Sequence, residues 1–213
     1  MSFREIVMRR CIAALALTAA LSAASEPVVY DYSVPSLDGS RSAPLSEYRG
    51  KVTLIVNIGT RSQYAGQLAG LEALQERFAK AGFTVIALPS TDFGDLTPGS
   101  GAEIAAFCRK TYNATFPVFG KVSVRGDSQS PLYEYLTAHA LPEKKGDVHW
   151  LFTKFLVDQH GKVVERFEPG VQPDDPALVS TIEEVIAGKH HPDSEEKKKP
   201  EEKQESRRDD SRA

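Results

Sequence analysis

Ser62 stands in the stretch Ile55–Phe78, IVNIGTRSQYAGQLAGLEALQERF, where an apolar run gives way at Gly59 to a second run with helical spacing. A strand, a tight turn and a helix start in that order present one side chain at the helix entry, the position at which such units hold a reactive group. A hydroxyl there has two uses. It can satisfy orphan backbone N–H groups at the start of the helix, a task Thr60 is also placed to perform. It can also attack an electrophile if a base takes its proton, and Ser62, His149 and Asp92 form the formal set for such a hydrolase. Capping is the preferred reading, because no G-x-S-x-G elbow surrounds Ser62, and His149 beside an inward Trp150 on an extended segment would point away from it.

The second reactive type is cysteine, present at Cys11 and Cys108. Arg109 and Lys110 beside Cys108 would lower its pKa from the unperturbed value of about 8.5 if they sit close, which allows a slow lone-thiol reaction. A small, partly buried residue on an amphipathic helix is the preferred reading, since free cysteine is among the most buried residue types. With histidines at 139, 149, 160, 190 and 191, the chain shows no closed metal-ligand spacing, and no metal site is expected.

The elements that position these residues alternate. VTLIVNI, up to Gly59, is rich in branched residues and reads as a buried strand. Leu68, Leu71, Leu74 and Phe78 recur at helical spacing and give one apolar face. FTVIALP reads as a second buried strand, parallel to the first by way of that crossover helix. Glu103 to Tyr112 reads as a helix, and FTKFLVDQHGKVVERF as a hairpin turning at Gly161. A last helix begins at Pro176 and runs through Val179, Ile182 and Ile186. The expected class is α/β, a central mixed sheet flanked by helices.

Both ends differ from this body. Arg4, Arg9 and Arg10 precede an apolar run from Cys11 to Leu21, and Ser22-Ala23-Ala24 offers small residues for cleavage. The expectation is a signal peptide over 1–24, a domain over 25–187 and export to a periplasmic or extracellular compartment. The apolar run is too short for a permanent anchor, so no membrane span is expected after signal removal. The mature chain would then keep Cys108 alone, and an intramolecular disulfide is impossible. Residues 188–213 carry no large apolar side chain and mix both charges, which reads as a disordered polyampholyte. The whole chain has 213 residues and a net charge of -3, which argues against a nucleic-acid-binding body.

Three segments resemble the glutathione peroxidase family. The first tracks the pattern V-N-V-A-S-x-[Cys or Sec]-G-x-T-x-Q-Y-x-x-L-x-x-L-Y-x-x-Y through Val56, Asn57, Gln67, Leu71, Leu74 and Phe78, with Ser62 on the peroxidatic residue. The second, Ala87 to Cys108, tracks G-F-P-C-N-Q-F-G-x-Q-E-P-G-S-x-x-E-I-x-x-F-C through Pro89, Phe93, Gly94, Pro98, Gly99, Ser100, Glu103, Ile104, Phe107 and Cys108. The third, Trp150 to Phe167, tracks W-N-F-x-K-F-L-V-x-x-x-G-x-V-x-x-R-[FY]. The resemblance spans Tyr30 to Val185 and implies a thioredoxin fold.

The family's tetrad is a Cys or Sec, a Gln, a Trp and an Asn; the resemblance carries these onto Ser62, Asp92, Trp150 and Leu151. Only the tryptophan is retained. Peroxide reduction needs a soft anion that attacks the O–O bond and survives as a sulfenate or selenenate that thiols strip back. A serine alkoxide is hard, barely populated near neutral pH, and has no sulfenate equivalent. Asp92, when ionised, only accepts hydrogen bonds, and Leu151 offers none. In the thioredoxin-using branch of the family a cysteine of the second helix resolves the sulfenate, and Cys108 takes that place without a peroxidatic partner. The resemblance therefore implies a family member that has lost peroxidase catalysis and serves as a binding or scaffold domain, with an unidentified protein or small-molecule partner. The alternative is a weak thiol peroxidase acting through Cys108. No cofactor is expected, and glutathione or thioredoxin would serve as reductant only if the chain is active. Trp150, its partners lost, reads as packing. The short stretch from Thr137 to Val148 lacks the longer insertion of tetrameric members and points to a monomer.

Overall fold

The structure, a computed structural model, describes residues 26–189; the expected export signal and the charged tail from His190 onward lie outside the described residues. Two short strands, Ser33–Pro35 (β1) and Ser42–Pro44 (β2), pair antiparallel across a turn in which Gly39 takes φ 71°. Just before them Tyr30 is buried, and its hydroxyl donates to the carbonyls of Lys51 at 2.5 Å and Asp158 at 2.8 Å. That pair of bonds seats the leading hairpin on the main sheet.

The main sheet is built from the runs that read as buried strands. Val52–Ile58 (β3) and Phe83–Pro89 (β4) are buried at every position and pair in parallel, Val52 opposite Phe83 through Ile58 opposite Pro89. Between them Gln67–Phe78 (α1) makes the crossover, with Leu68, Leu71, Leu74 and Phe78 all buried. Gly101–Tyr112 (α2) begins with a capping box, Ser100 accepting from the Glu103 N–H while the Glu103 carboxylate accepts from the Ser100 N–H. Pro131–His139 (α3) follows. Lys154–Val157 (β5) and Val163–Phe167 (β6) form the antiparallel hairpin, whose turn holds Gly161 at φ 89°. The strand order is β4-β3-β5-β6, parallel on one side of β3 and antiparallel on the other. The expected α/β architecture is present.

Pro176–Ile186 (α4) closes the domain, with Asp175 as its cap and Pro176 at its first turn. Leu178, Ile182 and Val185 are buried, and Arg77 of α1 pairs with Glu183 of α4 at 2.6 Å. On α3, Tyr133 packs edge-on against Phe155 of β5. The N–H groups of Gly188 and Lys189 return to the carbonyls of Val185 and Glu184, so the helix cap ends just past the expected domain boundary at 187.

Cutting before Pro176 should uncover Leu178, Ile182 and Val185 at once, at a cost of several kcal/mol by a rate of roughly 1.5 to 3 per buried large aliphatic. Removing 190–213 should leave thermal unfolding nearly unchanged, because that stretch carries no large apolar side chain. Calorimetric melting of the two truncations checks both, and a large drop on removing the tail alone would show that it docks on the domain.

Candidate functional site

Ser62 lies in the turn that leaves the end of β3. It is buried, and it is not the helix cap that the sequence led us to expect. Helix α1 begins five residues later at Gln67, its cap residue is Gly66, and no side chain caps it. The Ser62 hydroxyl instead accepts from the Tyr64 N–H at 3.2 Å, a local turn bond. The backbone continues in overlapping turns, Ala65 N–H to the Ser62 carbonyl at 3.0 Å and Gln67 N–H to the Tyr64 carbonyl at 2.8 Å, until α1 takes over. Arg61 anchors the turn to the opposite loop through its N–H to the Leu96 carbonyl and its guanidinium to Asp95 at 2.7 Å.

The segment before β5 approaches from the other side. Phe152 is fully buried and takes φ 68°, a left-handed conformation that costs a non-glycine residue about 1–2 kcal/mol. Three bonds to Asn57 at the end of β3 hold it: the Phe152 N–H donates to the Asn57 carbonyl at 2.6 Å, the Asn57 side-chain amide donates to the Trp150 carbonyl at 3.1 Å, and the Asn57 N–H reaches the Thr153 carbonyl at 3.4 Å. The reversal at Phe152 turns Leu151 inward. A Cβ on Gly59 would lie 2.5 Å from Leu151 Cδ1 and 3.0 Å from the Thr97 hydroxyl, so the lack of a side chain at Gly59 is what admits Leu151. Trp150 is turned outward and is 40% exposed, with its ring 5.4 Å from that of Phe93. This corrects the expectation of an inward Trp150 on an extended segment: the chain there is a bend, and the tryptophan packs at a rim. His149 is exposed too, and among the described residues no hydrogen bond joins it to Ser62 or Asp92. The hydrolase arrangement is not formed.

Asp92 is half-buried, and its carboxylate accepts three hydrogen bonds. Oδ2 accepts from the Ser90 hydroxyl at 2.8 Å and the Val124 N–H at 2.6 Å, and Oδ1 accepts from the Ser123 hydroxyl at 2.8 Å. Cys108 on α2 is fully buried, and burial pushes its thiol up to about 11. The expected lowering by Arg109 is present but smaller than the effect of burial. Among the described residues no cluster of three or more His, Cys, Asp or Glu is arranged to hold a metal ion.

A sequence model described as "Glutathione peroxidase" matches residues 29–137. The chain is 41% identical over 172 residues to the hydroperoxy fatty acid reductase gpx1 of Synechocystis, covering 78% of this chain and all of the relative. The chain belongs to the glutathione peroxidase family. It is also 38% identical to the glutathione peroxidase-like peroxiredoxin gpx1 of Schizosaccharomyces pombe, over 74% of this chain and 98% of that one. Among solved structures, T. cruzi GPX1 superposes with a TM-score of 0.61 at 28% identity, over 76% of this chain and 97% of that one. A DsbF homologue from Corynebacterium diphtheriae shares the fold with a TM-score of 0.53 at 18% identity, over 75% and 86% of the two chains. The fold is the thioredoxin fold.

The four residues that the resemblance sets at the tetrad positions lie in surroundings that differ from one another. Ser62 is buried in a turn, Asp92 is bound to the 123–124 segment, Trp150 stands at the surface, and Leu151 is packed on Gly59. Sequence reasoning gave no role to Asn57 or Lys154, although each is a polar residue inside an apolar strand run, which is the signal that finds such residues. Lys154 is fully buried, and its ammonium donates to the carbonyls of Phe152 at 2.9 Å and Val171 at 2.8 Å. It thereby ties the Trp150 bend to the 169–173 segment, which also accepts from Gln67 at the Pro169 carbonyl.

Burial pulls the Lys154 ammonium down from 10.5 to about 8, with Glu168 opposing. Between these two values the unfolded chain holds a proton that the folded chain has released, so folded stability rises with pH across that window. The stability deficit of Lys154→Met relative to wild type should therefore widen by roughly 3 kcal/mol as pH rises from neutral through the window. Chemical denaturation of both proteins across this range measures it; a deficit that narrows with pH would show that the ammonium, not the amine, is the favoured form.

Proposed function

We propose that this glutathione peroxidase family member no longer turns over hydroperoxides and that its fold now serves binding, as a monomeric domain for a protein or small-molecule partner. The observation that carries this reading is Ser62 at the peroxidatic position, buried, with its hydroxyl already accepting from Tyr64. Peroxide reduction breaks the O–O bond by attack of a thiolate or selenolate, releases an alkoxide that must be protonated, and leaves an oxidised sulfur or selenium for thiols to reduce. A serine offers neither the populated anion nor the oxidisable atom. The groups that would support the anion are altered as well, since the Asp92 carboxylate presents acceptors and Leu151 presents carbon.

The alternative, a weak thiol peroxidase acting through Cys108, has less support. A fully buried thiol raised to about 11 is almost wholly protonated near neutral pH and is shielded from peroxide and reductant alike. Export is part of the proposal. It is supported by the basic residues Arg4, Arg9 and Arg10, the apolar run to Leu21 and the small residues before Ser25.

Peroxide consumption by the purified mature chain, with glutathione and with thioredoxin as donors, tests the central claim. No turnover above a no-protein control is expected for hydrogen peroxide or an organic hydroperoxide. Turnover that disappears in Ser62→Ala would overturn the reading, and turnover that disappears in Cys108→Ser would put the thiol reading in its place. For export, N-terminal sequencing of the protein recovered from cells should begin at Ser25; a chain retained inside with its first residues intact would refute it.

A further inference from the structure

We infer that Asp92 is a positioning residue: its carboxylate clamps the turn after β4 to Ser123 and Val124, and so holds Phe93 in contact with both Arg125 and Trp150 as a preformed aromatic lip. The inference deepens the proposed loss of turnover, because it gives the residue at the family's glutamine position a different task.

The clamp is built from both sides. The Asp92 side chain accepts from Ser90, Ser123 and Val124, while its main-chain carbonyl accepts from the Arg125 guanidinium at 2.8 Å. That guanidinium also lies over the Phe93 ring, 4.3 Å from its centre. Phe93 in turn meets Trp150, which stands on the bend held by Asn57. Four residues thus form one contact chain from the 123–125 segment to Trp150. An Asp serves this task better than a Gln. Its oxygens reach a backbone N–H and two hydroxyls without presenting a competing donor, whereas the N–H2 end of a glutamine would face groups that themselves donate. The carboxylate bonds are charge-assisted and close a loop across thirty-odd residues.

Trp150 is the single tryptophan of the chain, so its emission reports the lip directly. In the full-length protein, Asp92→Gln should shift Trp150 emission to longer wavelength, increase its quenching by acrylamide and lower the melting temperature. Ser123→Ala, which removes one donor to the clamp, should move emission and quenching in the same direction by less, and it decides the matter if Asp92→Gln does not fold. Asp95→Asn, which removes an exposed ion pair with Arg61 from the same loop, should leave emission unchanged. Wild-type emission and quenching in both Asp92→Gln and Ser123→Ala would overturn the inference, even with a lowered melting temperature, since a residue that merely supports the fold would give that result. The readout does not depend on turnover. Peroxidase activity in the wild type would sink the functional reading and leave this one standing, while an unmoved Trp150 would do the reverse.

Discussion

The bonding of Asn57 to the 150–153 bend is the constraint on which the face carrying Ser62, Leu151 and Trp150 depends. Strand β3 pairs with β5 in regular antiparallel register as far as Val56 opposite Lys154, and there the ladder would carry on outward if the next residues were extended. Instead the Asn57 carbonyl takes the Phe152 N–H, and its side-chain amide takes the Trp150 carbonyl, which forces the chain through a left-handed residue. The reversal decides which side chain goes in and which goes out. Leu151 is delivered against Gly59, at the root of the turn that carries Ser62, and Trp150 is delivered to the surface beside Phe93. Lys154 supports the same bend from within, because its buried ammonium meets the Phe152 carbonyl.

Much of the scaffold was legible because it is local and periodic. VTLIVNI and FTVIALP announce buried strands by composition, Leu68, Leu71, Leu74 and Phe78 announce the crossover helix by spacing, and Pro176 and Gly161 mark a helix start and a turn. The site was less legible, for reasons specific to its residues. Trp150 was expected inward because strand alternation assigns faces by parity, and a single positive φ at Phe152 breaks that parity without any glycine to announce it. Ser62 was expected to cap α1 because a serine after a strand usually does. The chain interposes a run of overlapping turns first, and the hydroxyl is used inside that run. The partners of Asp92 lie some thirty residues away in a segment with no periodic pattern, so no local rule places them.

Ser62, Asp92 and Leu151, which the resemblance sets at tetrad positions, share a physical property. Each side chain has partners within the fold itself: the Ser62 oxygen accepts from a backbone N–H, the Asp92 oxygens from three donors, and Leu151 makes apolar contact. Catalytic groups are ordinarily the reverse, polar atoms held in readiness for a substrate at some expense of stability. The contrast is visible within this one face. Among the described residues, the buried side-chain oxygens without a partner include those of Asn57 and Gln67, the signature residues on either side of the Ser62 turn, whereas no atom of Ser62 or Asp92 is among them. The signature positions still carry acceptors that the fold leaves unpaired. Ser62, Asp92 and Leu151 are instead taken up by packing and internal hydrogen bonds, the condition that the proposed loss of turnover calls for.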